Sequence, residues 1–136
     1  MKKTIFITGA TSGIGKATAE VFAKQGHRLI ICGRRKEVLD NLQIQLSNFT
    51  DVYSLVFDVR NQQEVQNAIN SLPEDWKNID VLVNNAGNAH GLEPISDANI
   101  SDWDAMMDGN VKGLLYVSQP IIKLMKANNS GHIVNI

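Results

Sequence analysis

The chain of 136 residues holds one cysteine, three prolines, three histidines and only 6% aromatic residues. A lone cysteine, Cys32, excludes an internal disulfide framework and fits a reducing compartment. Its place in the apolar run Leu29-Ile30-Ile31-Cys32 makes it a small core residue rather than a nucleophile. The histidines His27, His90 and His132 are too scattered in motif terms to suggest a metal site, so surface or loop roles are expected for them. No apolar run approaches the ~20 residues of a membrane span, and no signal peptide precedes the strand-like sequence that begins near residue 3. Thirteen basic and 14 acidic residues leave a net charge of -1, which gives no electrostatic reason to expect nucleic acid or an acidic membrane surface. Repeats and low-complexity tracts are missing too. The default expectation is a cytoplasmic protein.

What is present is ordinary in amount and ordered in pattern. With 43% hydrophobic and 20% charged residues, the chain can build one domain with a sizeable core. Apolar, β-branched runs at Thr4–Ile7, Arg28–Cys32, Val52–Phe57, Ile79–Val83 and Gly131–Ile136 read as five strands. Helical spacing fills the gaps. It covers Lys16–Lys24, then Lys36–Leu46 with Val38, Leu39, Leu42 and Leu46 on one side. Next comes Gln62–Leu72, with Val65, Ala68, Ile69 and Leu72 in step and Pro73 as its stop. A long region from Ile100 to Ala127 follows, carrying Met107, Val111, Leu114, Ile121 and Met125 in a 3–4 rhythm. Gly109 and Asn110 are poor helix formers in its middle, so a bend is expected there. Pro120 removes one further backbone donor. Alternating strands and helices, with continuous hydrophobicity in the strands, predict an α/β fold: a Rossmann-like, doubly wound parallel sheet covered on both faces.

The first turn carries the chemistry. Thr8-Gly9-Ala10-Thr11-Ser12-Gly13-Ile14-Gly15 joins a strand to a helix. The first N–H groups of a helix lack intrahelical partners, and the helix dipole places partial positive charge there. Glycine lets the backbone approach a ligand closely, so such a turn can hold a phosphate with main chain alone. A glycine-rich turn that merely packs helix on strand has the same composition. The spacing is not G-x-G-x-x-G, because position 18 is Thr. A P-loop is nearly matched by Ala10-x-x-x-x-Gly15-Lys16, but Ala17 stands where a Mg²⁺-binding hydroxyl is needed.

Ligands of doubly wound sheets bind outside the carboxyl ends of the strands. The unusual residues of this chain fall there: Thr8-Gly9, Gly33-Arg34-Arg35, Asp58-Val59 and Asn84-Asn85-Ala86-Gly87. After the second strand an NAD site usually carries an acid for the ribose 2′-OH, whereas this chain has Arg34 and Arg35. Guanidinium groups would hold a 2′-phosphate through charge-assisted bonds of about 1.5–3 kcal/mol each, which points to NADP. The competing role is a solvated helix start, where cations are mildly unfavourable. Asp58 could accept the adenine amino hydrogens with Val59 against the ring, cap the helix that begins near Asn61, or hold Mg²⁺ in a P-loop enzyme. The two amides Asn84 and Asn85 could tie strands together while Ala86 and Gly87 leave room for a ribose. An Asn-rich turn would read the same way.

In order along the chain, T-G-x-x-x-G-x-G at Thr8–Gly15, Asp58, N-N-A-G at Asn84–Gly87, Asn110 and the strand Gly131–Ile136 together resemble the short-chain dehydrogenase/reductase family. The resemblance covers all 136 residues. Within the family, Gly33-Arg34-Arg35 and Gly91-Leu92-Glu93-Pro94 with Trp103 look most like the NADP-dependent serine and 3-hydroxy acid dehydrogenases. The resemblance implies hydride transfer between NADP(H) and a carbonyl/alcohol carbon of a small substrate. It implies cofactor contacts from Thr8, Gly9, Thr11, Ser12, Gly13, Ile14, Gly15, Arg34, Arg35, Asp58, Val59, Asn85, Ala86 and Gly87. Asn110 would hold a water in a proton relay, His90 would border substrate, and the long helix would pack against its mate in a homo-oligomer.

Family chemistry also needs a Tyr in Y-x-x-x-K, whose pKa of about 10 a nearby cation lowers, and a Ser that orients the substrate oxygen. Neither tyrosine here fits, since Phe57 follows Tyr53 by four and Pro120 follows Tyr116 by four. The family's Ser falls just past the strand with which this sequence ends. A terminal carboxylate on a buried parallel strand is costly. Residues 1–136 are therefore expected to be the dinucleotide-binding part of a single Rossmann-like domain whose C-terminal part is missing. A non-catalytic NADP-binding sensor or regulatory module is the alternative, and a P-loop hydrolase the third reading.

Overall fold

The computed structural model describes residues 1–136. Five parallel strands, β1 (Thr4–Ile7), β2 (Arg28–Gly33), β3 (Val52–Val56), β4 (Val81–Asn84) and β5 (His132–Asn135), form one sheet in the order β3-β2-β1-β4-β5. Helices α1 (Gly13–Lys24), α2 (Lys36–Leu46), α3 (Gln62–Asn70), α4 (Ile100–Met106) and α5 (Gly113–Ala127) cross between them. This is the Rossmann-like doubly wound α/β architecture that the strand–helix alternation predicts.

Both faces of the sheet are covered because side chains of each strand alternate between two cores. Ile5, Ile7, Leu29 and Ile31 pack with Ala19 and Ala23 of α1 and Leu39, Leu42 and Leu46 of α2. Phe6, Ile30, Cys32 and Leu82 face the other way, onto Val65 and Ile69 of α3 and Val117, Ile121 and Met125 of α5. Cys32 is fully buried and burial pushes its thiol pKa up, as suits a core residue. The chain leaves β1 toward β2 on one side, while β4 pairs β1 on the other, with Ile5 opposite both Leu29 and Val81. The loops after β1 and β4 therefore diverge and leave a crevice at the switch point.

Several boundaries differ from the sequence reading. Helix α1 starts at Gly13, so the glycine-rich turn supplies its first residues. Strand β4 starts two residues later than expected, Ile79 being a buried core residue just ahead of it. Helix α3 ends at Asn70, where the Ser71 amide turns back to the Asn67 and Ala68 carbonyls, before Pro73 is reached. Val38 is exposed, although Leu39, Leu42 and Leu46 are buried as their spacing requires. The long region is two α-helices joined by a π-helical segment, Met107–Lys112, at the weak Gly109-Asn110 pair. Strand β5 was expected to be buried. It forms the outer edge instead, exposed at three of its four positions, because no element of residues 1–136 lies on its far side. No helix is long and apolar enough to cross a membrane.

Candidate dinucleotide site

The loop after β1 is held open by cross-strand bonds rather than by its own turn. The Thr8 hydroxyl oxygen accepts the amides of Asn85 and Ala86, each at 3.0 Å, while the Thr8 amide donates to the Val83 carbonyl at 3.1 Å. Asn85 Nδ2 donates to the Gly9 carbonyl at 3.1 Å. Asn84, buried, donates from Nδ2 to Ser118 Oγ of α5 and to Asn135 Oδ1 of β5, both at 3.0 Å. The two amides thus tie strands and helix together, as their strand-end position suggests.

Close approach explains two of the glycines. Gly9 has φ +62°, and a Cβ there would come within 2.9 Å of Asn85 Nδ2 and 3.0 Å of Ala86 Cα. A Cβ on Gly15 would overlap the Gly9 carbonyl oxygen. Ser12 precedes α1 in extended conformation and makes no capping bond with its side chain, and the first turn carries no acid. The leading amides of α1 are consequently left for an outside acceptor.

A cavity of about 380 Å³ opens over this turn. Thr8, Gly9, Thr11, Ser12, Gly13, Ile14, Arg34, Arg35, Asp58, Val59, Asn85, Ala86 and Gly87 all line it. The ends of β1, β2, β3 and β4 converge on one space, which no single stretch of sequence could show. Two site residues named from the sequence stay outside the wall. Gly15 is buried beneath the loop, where it lets α1 close on Gly9. Asn110 does not line the cavity either: its Oδ1 accepts the Asn88 amide and its Nδ2 donates to the Asn88 carbonyl, both at 2.8 Å. It is exposed, and it pins the loop after Gly87, whose own Cβ would strike Asn110 Oδ1 at 2.6 Å.

At the β2 end Arg34 and Arg35 are exposed, and Arg35 Nη2 donates to Thr11 Oγ1 at 3.2 Å. Gly33 brings the Thr11 methyl against the strand, since a Cβ there would lie 2.7 Å from Thr11 Cγ2. Asp58 does not cap α3. Asn61 does, with its side chain accepting the Glu64 amide, because Asp58 lies three residues too early. Asp58 instead accepts the Arg60 amide at 3.0 Å and forms an ion pair with the Arg60 guanidinium, Nη2–Oδ2 2.7 Å. That hydrogen-bonded guanidinium holds the Asp58 carboxyl below the usual aspartate range, with Arg34 adding to the effect. Asp58 in turn raises Arg60.

Sequence reasoning missed Arg60, Asn88, Ala105 and Gly109, which also line the wall, as do Cys32, Gly33, Phe57 and His90. Arg60 was detectable, two positions past an aspartate already singled out. Ala105, in α4, and Gly109, in the π-helical segment, were not, since neither carries a functional group that marks it in the sequence. Lys16, which a P-loop would aim at phosphates, is absent from the wall, and so is Ala17. His27 accepts the Lys3 amide at the surface, and no group of three or more His, Cys, Asp or Glu side chains is arranged to hold a metal ion.

The fold and this strand-end cavity define a dinucleotide-type α/β domain. The chain belongs to the short chain dehydrogenase family, whose profile it matches over residues 3–136. It is 43% identical over 132 residues to the NADP-dependent 3-hydroxy acid dehydrogenase YdfG of Escherichia coli, covering 97% of this chain and 52% of that protein. It is 42% identical to sulfoacetaldehyde reductase 2 of Chromohalobacter salexigens, covering 100% of this chain and 54% of the other. Among solved structures it matches the closed form of a serine dehydrogenase complexed with NADP+, with a TM-score of 0.90 and 42% identity over 97% of this chain and 52% of that one. It also matches an NAD+-bound xylitol dehydrogenase, with a TM-score of 0.93 and 30% identity over 98% and 52%. The chain thus spans about half the length of the relatives it resembles.

Proposed function

We propose that this chain is the cofactor-binding part of an NADP-dependent oxidoreductase that moves a hydride between NADP(H) and a carbonyl/alcohol carbon of a small substrate of the 3-hydroxy acid or serine class. The observation that carries this is the charge pattern of the cavity. Three guanidinium groups, Arg34, Arg35 and Arg60, meet one carboxylate, Asp58, and that carboxylate stands at the end of β3, not β2. Relatives of this fold take either cofactor, the xylitol dehydrogenase structure holding NAD+ and the serine dehydrogenase structure NADP+. The choice therefore rests on local charge, and the β2 end is suited to a 2′-phosphate.

The residues fit such a cofactor in four places. Free amides at the start of α1 suit a pyrophosphate. Arg34 suits the 2′-phosphate, Asp58 and Val59 the adenine, and Asn85, Ala86 and Gly87 the ribose near the nicotinamide. When bound, the nicotinamide would supply or accept the hydride. Asn110 would keep the Asn88 segment in place beside it, and would hold the relay water that the family resemblance implies. Tyr53 packs on Trp76 with ring centroids 5.4 Å apart, and Tyr116 packs against the core, so neither is offered as the acid/base group.

Titration of the protein with NADPH and NADH, followed by nucleotide fluorescence, tests the reading. NADPH is expected to bind at least tenfold more tightly, since one charge-assisted bond contributes about 1.5–3 kcal/mol. Equal affinities would defeat the 2′-phosphate assignment, and binding by the full-length protein without any 3-hydroxy acid or aldehyde turnover would favour the sensor reading. The exposed apolar residues Ile100, Trp103, Met107, Val111 and Leu115 run along α4, the π-helical segment and α5, and they support assembly with a second copy. The one buried thiol fits a reducing, cytoplasmic setting.

A further inference from the structure

We propose that Arg60 is a positioning residue, fixing the Asp58 carboxylate so that its one free acceptor direction meets the exocyclic amino group of an adenine ring. The proposal rests on the reading above that the cavity takes NADP(H). A carboxylate offers about four acceptor positions on its two oxygens. Three donors of Arg60 take up three of them, the Nε–H being shared between the two oxygens. Its amide reaches Oδ1 at 3.0 Å, Nε lies 3.1 Å from Oδ1 and 3.2 Å from Oδ2, and Nη2 reaches Oδ2 at 2.7 Å. A carboxylate gripped by amide and guanidinium of the same residue cannot rotate about its last torsion without breaking several bonds together. What it still offers is a single direction, and an acceptor with one direction recognises one donor.

The grip is itself anchored at both ends. The Asp58 amide donates to Glu64 Oε2 at 3.1 Å, which ties the strand end to the first turn of α3. On the far side the Arg60 stem runs close to Gly109, where a Cβ would stand 4.0 Å from its Cγ. Asp108, one residue earlier, acts on the Arg60 charge. Arg60 therefore bridges the β3 end and the π-helical segment across the adenine end of the cavity, with both supports in the wall or next to it. Three of its N–H groups remain unused by Asp58, so a direct role on the 2′-phosphate is the competing assignment, and the experiment separates the two.

NADPH, NADH and the reduced hypoxanthine analogue of NADPH, which carries an oxo group in place of the amino group, are titrated into the full-length protein and its variants. Arg60→Gln is expected to weaken NADPH and NADH alike, about three- to tenfold, and to leave the hypoxanthine analogue unchanged. Added to Asp58→Ala, it should cost nothing more. Arg60→Lys keeps the charge without the fork and should recover only part of the loss. A loss confined to NADPH would make Arg60 a phosphate ligand, and equal losses for adenine and hypoxanthine dinucleotides would make it merely structural. Either result overturns the proposal while the cofactor reading stands. A wild-type protein that binds no NADPH removes both. Because Arg60 is exposed, all variants should keep the wild-type circular dichroism.

Discussion

Asn85 donates its side-chain amide to the carbonyl oxygen of Gly9 at 3.1 Å, although the two residues lie 76 positions apart. The contact forces the turn after β1 and the end of β4 into one surface, and leaves no room for a side chain on either glycine that faces it.

The first prediction follows from that crowding. Gly15→Ala would push a methyl group into the Gly9 carbonyl and should lower stability by about 2–4 kcal/mol, a typical overpacking loss or more. Gly13→Ala meets nothing within 4 Å, but its φ of +56° should still cost about 1–2 kcal/mol. Thermal melts compare the two. A Gly15 variant no worse than the Gly13 variant would show that the turn yields easily.

Arg34→Ala should weaken NADPH binding about ten- to a hundredfold, the value of one charge-assisted hydrogen bond, and barely change NADH. Parallel titrations decide it. Matched losses for both nucleotides would mean that Arg34 supports the loop and not a 2′-phosphate.

The Asp58–Arg60 pair makes a prediction about acid. Its carboxyl titrates below the ordinary aspartate value of ~3.9, first because Arg60 donates a side-chain hydrogen bond to it. Since the folded pKa is the lower one, the unfolded chain binds the proton more readily. The pair's stabilising contribution is then complete above ~3.9 and fades as pH falls through the folded pKa. Carboxyl NMR should find Asp58 titrating low in the wild type and near the ordinary value in Arg60→Gln. Identical titrations would contradict the pairing.

Asn110→Ala should free the Asn88 amide and carbonyl together, and hydrogen exchange at Asn88 should speed up while the core strands stay protected. Two ordinary hydrogen bonds are involved, so about 1–2 kcal/mol of stability is at stake. Unchanged exchange at Asn88 would leave Asn110 without its positioning role.

For the exposed stripe, Leu115→Arg should reduce the molar mass measured by light scattering to that of a single chain, because a charge would be buried in any contact made there. A monomeric wild type, or an assembled variant, would count against this face.

Much of the fold was legible because its period was strong. β2 and α2 fall within a residue of where apolar spacing puts them, and Leu39, Leu42 and Leu46 are buried as their spacing requires. What failed was decided at a distance. Whether β5 is covered depends on which elements lie beyond it, not on its own hydrophobicity. Gly113, where α5 begins after the π-helical segment, lies so close to Val59 that a Cβ there would stand 2.8 Å from Val59 Cγ2, a contact between residues far apart in sequence. In the site, glycines and arginines announced themselves by type and position. For Arg60 the only sign was its place two positions past Asp58, since spacing says nothing of the ion pair that gives it a role. Asn110 was noticed for the right reason, as a poor helix former mid-helix, but its partner, the Asn88 backbone, leaves no mark in composition.

The Thr8 hydroxyl, clamped on the amides of Asn85 and Ala86, has an outcome for anyone who would transplant this turn. Moved alone into a foreign scaffold, residues 8–15 would arrive without the struts that hold them apart, and should collapse into an ordinary tight bend with no affinity for nucleotide. The smallest portable unit is the whole stretch from the first strand through Gly87, inherited or engineered in one piece.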